Sequence, residues 1–148
     1  MAILYKYLLI LCILLSQSSF SFTLITDEEA RKEGKVSQDY VLRLGEANDL
    51  PSIKLVNPDM LASSIKSPIS IELKFEKKDA PILPETFRAL YGSLQLDVTE
   101  RILEEATIDS KFLKVDNAKL PRGRHTFVVQ IADANGKLAK RMFKVKVQ

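Results

Sequence analysis

Between Ile69 and Glu76 apolar and polar residues alternate without a break. Ile69, Ile71, Leu73 and Phe75 fall on one side, and Ser70, Glu72, Lys74 and Glu76 on the other. A period of two is that of a strand with one face in a core and one in water, and it excludes a helix, which repeats every 3.6 residues. Pro68 stands just before the run, where a missing amide hydrogen is harmless. The same period returns along the chain. Ile53 and Leu55 flank Lys54 until Asn57-Pro58 ends the run. Phe87, Ala89 and Tyr91 form the inward set of a strand over Thr86–Tyr91. After the Gly92-Ser93 turn, Leu94, Leu96 and Val98 form that of the next. Strand character resumes over Phe112–Val115. It appears again over His125–Ala132, with Phe127, Val129 and Ile131 on one face, and over Leu138–Val147, with Phe143, Val145 and Val147 inward.

Turn chemistry separates these runs. Lys77–Pro84 carries two prolines, Leu120-Pro121-Arg122-Gly123 is a tight turn, and Asp133-Ala134-Asn135-Gly136 is a hairpin signal, because Asn-Gly accepts positive φ at little cost. About seven short strands, roughly 8–12 residues apart, predict an all-β antiparallel sandwich. No long helical pattern lies between strands, which argues against a parallel α/β sheet. One stretch dissents. Thr99–Ala106 holds strong helix formers without alternation, and Asp97 or Thr99 is placed to cap a helical turn there. Asp97 and Arg101 are spaced for a local ion pair, and Arg101 and Glu105 for a surface one.

The amino-terminal part differs. Lys6 is its only charge, Leu8–Leu15 is an unbroken apolar run, and the small, polar stretch Ser16–Ser21 follows. The run is short for a membrane span, which needs about 20 residues. Residues 1–21 therefore read as a secretory signal cut after Ser21, with an uncleaved anchor as the alternative. Leu11 before Cys12 speaks against lipidation. Loss of the signal removes Cys12, the chain's only Cys, so the exported chain carries no disulfide. Residues 22–50 read as a mobile or loosely docked leader. Thr26 or Asp27 caps a short acidic helix that Gly34 ends, and Tyr40–Leu44 suits one short strand or helical turn.

Chemistry-bearing residues are scarce. His125 is the only His, so a zinc site or a Ser-His-Asp triad has too few partners. Its expected role is to pack its ring at the start of a strand. Asp133 and Asn135 fit turn geometry better than a calcium site, which needs six to eight oxygens. Glu100, Glu104 and Glu105 read as a solvated helical face. No catalytic set, cofactor or metal is expected. Charge is the informative property. The whole chain is +3, yet Ala118–Gln148 has eight basic residues and one acid, while the leader is acidic. Lys140, Lys144 and Lys146 share the outward face of the last strand, with Met142 between. Together with Arg122 and Arg124 they are the candidate partner-binding residues. One reading is protection of an edge strand. The other is contact with an anionic partner, or with the acidic leader in cis. Few aromatics lie beside the lysines, which disfavours nucleic acid.

The run Leu120-Pro121-Arg122-Gly123-Arg124-His125, with Asp133-Ala134-Asn135-Gly136 beginning eight residues after it, resembles the last hairpin of bacterial immunoglobulin-like domains. Ile53–Pro58 and Ser67–Ile71 fit the same pattern. The resemblance covers residues 51–148 and implies an immunoglobulin-like β-sandwich. The helical Thr99–Ala106 departs from it, as does the lack of Trp and of a Cys pair. It implies nothing about a ligand. The combined expectation is a non-enzymatic, periplasmic or secreted binding or assembly module. It would contact an envelope protein or an anionic glycan or lipid, without a membrane span after cleavage. The alternative is a small enzyme or inhibitor acting on envelope polymers.

Overall fold

The computed structural model describes residues 20–32 and 49–148. The signal run, Gly34 and Tyr40–Leu44 lie outside the described residues. The chain forms β1 (Phe22–Thr23), α1 (Asp27–Arg31), β2 (Ser52–Leu55), α2 (Asp59–Ala62), β3 (Ser64–Ile65), β4 (Ile69–Glu76) and β5 (Ile82–Tyr91). These are followed by β6 (Leu96–Asp97), α3 (Thr99–Leu103), β7 (Thr107–Ile108), β8 (Phe112–Lys119), β9 (Gly123–Asp133) and β10 (Leu138–Val147). One sheet has the order β1-β8-β4-β2, with β7 also on β8. The other has the order β3-β10-β9-β5-β6. The protein is a two-sheet β-sandwich.

The long strands are antiparallel, and their period-two patterns place one face of each in the shared core. Leu73 and Phe75 of β4 and Leu113 and Val115 of β8 face Phe87, Phe127, Ile131, Phe143 and Val145 of the opposite sheet, all buried. Two short strands add parallel pairings. β1 joins β8 through Phe22↔Ala118 and Thr23↔Lys119, and β3 joins β10 through Ser64↔Lys146 and Ile65↔Val147.

Several elements differ from the sequence expectation for identifiable reasons. β5 begins at Ile82, inside the proline-rich break. The β5–β9 ladder is interrupted between Leu83 and Arg88, so the absent amide hydrogen of Pro84 falls in a bulge. The Thr86 side chain bridges the interruption. Its hydroxyl accepts from Ala132 N at 2.8 Å and donates to Leu83 O at 2.6 Å. β8 runs four residues past Val115 because an extra residue bulges out between the pairs Ile71↔Val115 and Ile69↔Ala118. Asn117 there has φ 58°, and Ala118 returns to the core phase. The strand expected over Leu94–Val98 shrinks to β6. Gly92 (φ 68°) and Gln95 (φ 51°) turn the chain too sharply for a longer one, leaving Leu94 77% exposed.

The described residues of the leader pack against the sandwich. Leu24 and Ile25 are fully buried, and their amides donate to Lys119 O at 3.0 and 3.5 Å. Thr26 then caps α1 as expected. Its hydroxyl accepts from Glu29 N, and the Glu29 carboxylate accepts from Thr26 N, forming a capping box.

Candidate functional site

β10 alternates its side chains between core and solvent except at Arg141, which is exposed. Ala139, Phe143, Val145 and Val147 are buried, and Lys140, Lys144 and Lys146 are exposed. Pairing with β9 sets the neighbours of each lysine. Lys146 lies opposite Arg124, Lys144 opposite Thr126 and Lys140 opposite Gln130. Across β9, Gln130 faces Arg88 of β5, which is also exposed. The outer face of this sheet therefore carries Lys140, Lys144, Lys146, Arg124 and Arg88 on three adjacent strands. Lys140 and Lys146 stand roughly 20 Å apart along the strand, at about 3.4 Å per residue. Arg122 is exposed in the turn just before β9. Among the described residues, none of Lys140, Lys144, Lys146, Arg122 and Arg124 forms an ion pair. Lys146 and Arg124 are like charges directly across a ladder, an arrangement that costs stability. Met142, Val128 and Leu90 form an apolar row between the lysines, with Val128 itself buried.

Arg88 was missed at the sequence level. It lies 34 residues before Arg122 and 36 before Arg124 in the sequence, and only the strand register brings it there. Lys137, counted with the basic tail, is employed elsewhere. Its ammonium lies 3.0 Å from Asp79 Oδ2 and 3.1 Å from Asp49 O, and Asp79 raises its pKa.

His125 is buried where the sequence places it, at the start of β9. Nε2 lies 2.7 Å from Pro121 O, and Nδ1 lies 2.9 Å from the Tyr91 hydroxyl. A carbonyl only accepts, so Nε2 is the donor. In the neutral ring Nδ1 accepts from Tyr91. Tyr91 also packs on Phe127 with ring centroids 5.1 Å apart. The imidazole thus ties the Leu120–Gly123 turn to the core and meets no nucleophile. Asp133 Oδ1 accepts from Asn135 N at 3.0 Å and Lys137 N at 2.9 Å, and Gly136 takes φ 75°. Asp133 is therefore a turn residue of the β9–β10 hairpin. No group of three His, Cys, Asp or Glu among the described residues is placed to hold a metal.

Arg101 forms neither of the ion pairs its spacing suggests. It turns to the leader instead. Nη2 lies 2.7 Å and Nη1 2.9 Å from the Glu29 carboxylate, and Nη1 also reaches Leu24 O at 3.2 Å. This guanidinium holds the Glu29 carboxyl down to about 2. Asp97 caps locally, accepting from Thr99 N at 2.9 Å, and Thr99 with Arg88 holds its carboxyl below the usual range. The Thr99 hydroxyl is occupied by Ala89 N. Glu100, Glu104 and Glu105 are exposed on or just after α3. A groove of about 300 Å³ lies nearby, between α1 and the β5–β6 turn, but it is lined by Glu29, Lys32, Tyr91 and Leu94 rather than by those three. A second, wholly apolar void of about 40 Å³ lies between the sheets, far smaller than a ligand pocket.

No described helix is long and apolar enough to cross a membrane. No family model matches the chain, and no curated protein matches it. Among solved structures, it is similar to CopC from Methylosinus trichosporium OB3b, with 14% identity and a TM-score of 0.39, over 59% of this chain and 86% of that one.

Proposed function

We propose that the protein is an exported, non-enzymatic binding or assembly module with an immunoglobulin-like sandwich, and that the outer face of β9 and β10 contacts an anionic component of the bacterial envelope. The carrying observation is the like-charged pair Lys146↔Arg124 at the head of a row that continues through Lys144 and Lys140. Like charges across a ladder work against the fold, so a row of them without compensating acids favours a partner that supplies the acids. The apolar run at residues 8–15 supports export, and the spread of Glu100, Glu104 and Glu105 into solvent gives the polymer-acting enzyme no cleft.

Binding of the protein to vesicles with and without anionic phospholipid, and to an acidic polysaccharide, tests this reading. Affinity for at least one anionic probe should fall steeply with salt. The triple variant Lys140→Glu, Lys144→Glu, Lys146→Glu should lose it while remaining folded. Equal binding by the triple variant and the native chain would overturn the reading. A second role is favoured by the topology. Among the described residues β10 is paired on its outer edge only at Lys146 and Val147, so its lysines also guard an open edge.

A further inference from the structure

The leader sits in the sandwich as a ligand sits in a receptor. Its own side supplies Leu24, Ile25 and Glu29. The receiving side is the edge of β8, the space between the sheets beside Ile102, Leu113 and Val115, and the Arg101 guanidinium. Glu29 and Arg101 are 72 residues apart, and Leu24 meets Lys119 across a longer interval still. Only two ladder pairs join β1 to β8. The covalent link between ligand and receptor is the stretch of sixteen residues 33–48.

The two described ends of that stretch lie at opposite ends of β5. Lys32 borders the groove with Tyr91, Gly92 and Leu94. Asp49 meets Lys137, beside Asp133, which is in register with Ile82. β5 has ten residues, so the ends are separated by roughly 30 Å. Sixteen residues reach at most roughly 60 Å. The link is thus long enough to serve its own sandwich, and long enough to serve a neighbour's. Every contact the leader makes is available in identical form on a second copy of the chain.

We propose that the segment Phe22–Arg31 exchanges between two copies of this chain, so that the Leu24, Ile25 and Glu29 of each occupy the β8 edge and Arg101 of the other. The exchange creates no new interface chemistry, which makes it a low-cost route to a dimer. A tethered segment competes at an effective concentration on the order of millimolar. The native chain is therefore a monomer at micromolar concentration, and it exchanges when refolded at millimolar concentration. An exchanged dimer carries two basic faces, which multiplies avidity for a repeating anionic surface. The proposal stands whether or not that face is the functional one.

Two measurements test it. Removing residues 37–46 leaves a link that reaches roughly 24 Å, too short for the monomer. By light scattering, the shortened chain should double its mass at micromolar concentration, and Leu24→Asp added to it should restore the monomer. A shortened chain that folds as a monomer overturns the proposal. If the shortened chain does not fold, the full-length chain decides. Thr23 and Lys119 are register partners and both are exposed. A Cys12→Ser chain with Thr23→Cys and Lys119→Cys, refolded at millimolar concentration and then oxidised, should give a disulfide-linked dimer. Cross-linking confined to single chains overturns the proposal.

Discussion

Arg101 grips Glu29 with both terminal nitrogens, at 2.7 and 2.9 Å, and so fastens α1 to α3 across 72 residues of sequence. The pair is half-sheltered, with 21% of the Glu29 side chain and 40% of the Arg101 side chain exposed. Geometry of this bidentate kind is the strong form of an ion pair, but solvent screens it at this exposure. Its contribution is on the order of 1 kcal/mol. The Glu29 carboxyl is lowered from 4.5 to about 2 in the folded protein. The folded state therefore holds its proton less well than the unfolded one, and the stabilisation is complete above about pH 4.5. It is lost as pH falls from there towards 2. Urea unfolding of the native chain and Glu29→Gln should differ by about 1 kcal/mol at pH 7 and converge near pH 2. A gap independent of pH would show that the carboxylate is not the source.

His125 joins Tyr91 to the Pro121 carbonyl inside the core, so its value lies in satisfying two buried groups. Tyr91→Phe removes the hydroxyl and leaves Nδ1 buried beside an apolar ring. The expected loss is about 1–3 kcal/mol. His125→Ala orphans the Pro121 carbonyl and opens a cavity as well, so it should cost more than Tyr91→Phe. Denaturant midpoints at neutral pH check the order. If His125→Ala is the milder change, the ring is not the tie between turn and core.

Sequence patterning located what each strand does by itself. The phase of β4, β9 and β10 was legible because every second residue answers to the same core. His125 and the Asp133–Gly136 hairpin were legible because their chemistry is local. Leu24 and Ile25 were not. Two adjacent apolar residues show no period, and the strand that receives them lies some ninety-five residues on. Arg101 pointed to Asp97 and Glu105 by spacing alone, while its actual partner is set by the packing of α1 against α3. The basic face was legible along β10 as a single stripe. Its width, which adds Arg124 and Arg88, depends on strand register, and no single strand encodes that.

Leu24 closes one side of the apolar space between the sheets, along with Phe87, Leu113 and Phe143. Leu24→Ala should cost about 2–5 kcal/mol, the range for removing a buried leucine where the surroundings relax only in part. The leader's short pairing with β8 makes local release the alternative to global loss. Hydrogen exchange separates the two. Faster exchange at Leu24, Ile25 and Ala30 with the other core amides unchanged indicates release of the leader alone.

Gly136 sits at φ 75°, and a Cβ placed there would meet nothing within 4 Å. Gly136→Ala thus isolates the backbone penalty of the left-handed region, about 1–2 kcal/mol. Gly136→Asn should cost less, because Asn tolerates that region. Equal losses for Ala and Asn would mean that the hairpin responds to side-chain contact rather than to φ.

Lys146 and Arg124 distinguish a residue kept for the fold from one kept for a partner. They are exposed and directly opposite on β10 and β9. Lys146→Glu turns a like-charged cross-strand pair into an opposite one, which should raise stability by roughly 0.2–1 kcal/mol. The same change removes a cation from the head of the basic row and should weaken binding to anionic vesicles or polysaccharide. Stability and binding then move in opposite directions. The gain in stability should shrink at high salt, because both side chains are exposed to screening. If Lys146→Glu lowers stability and leaves anion binding intact, the lysine serves the edge of the sheet and the partner surface lies elsewhere.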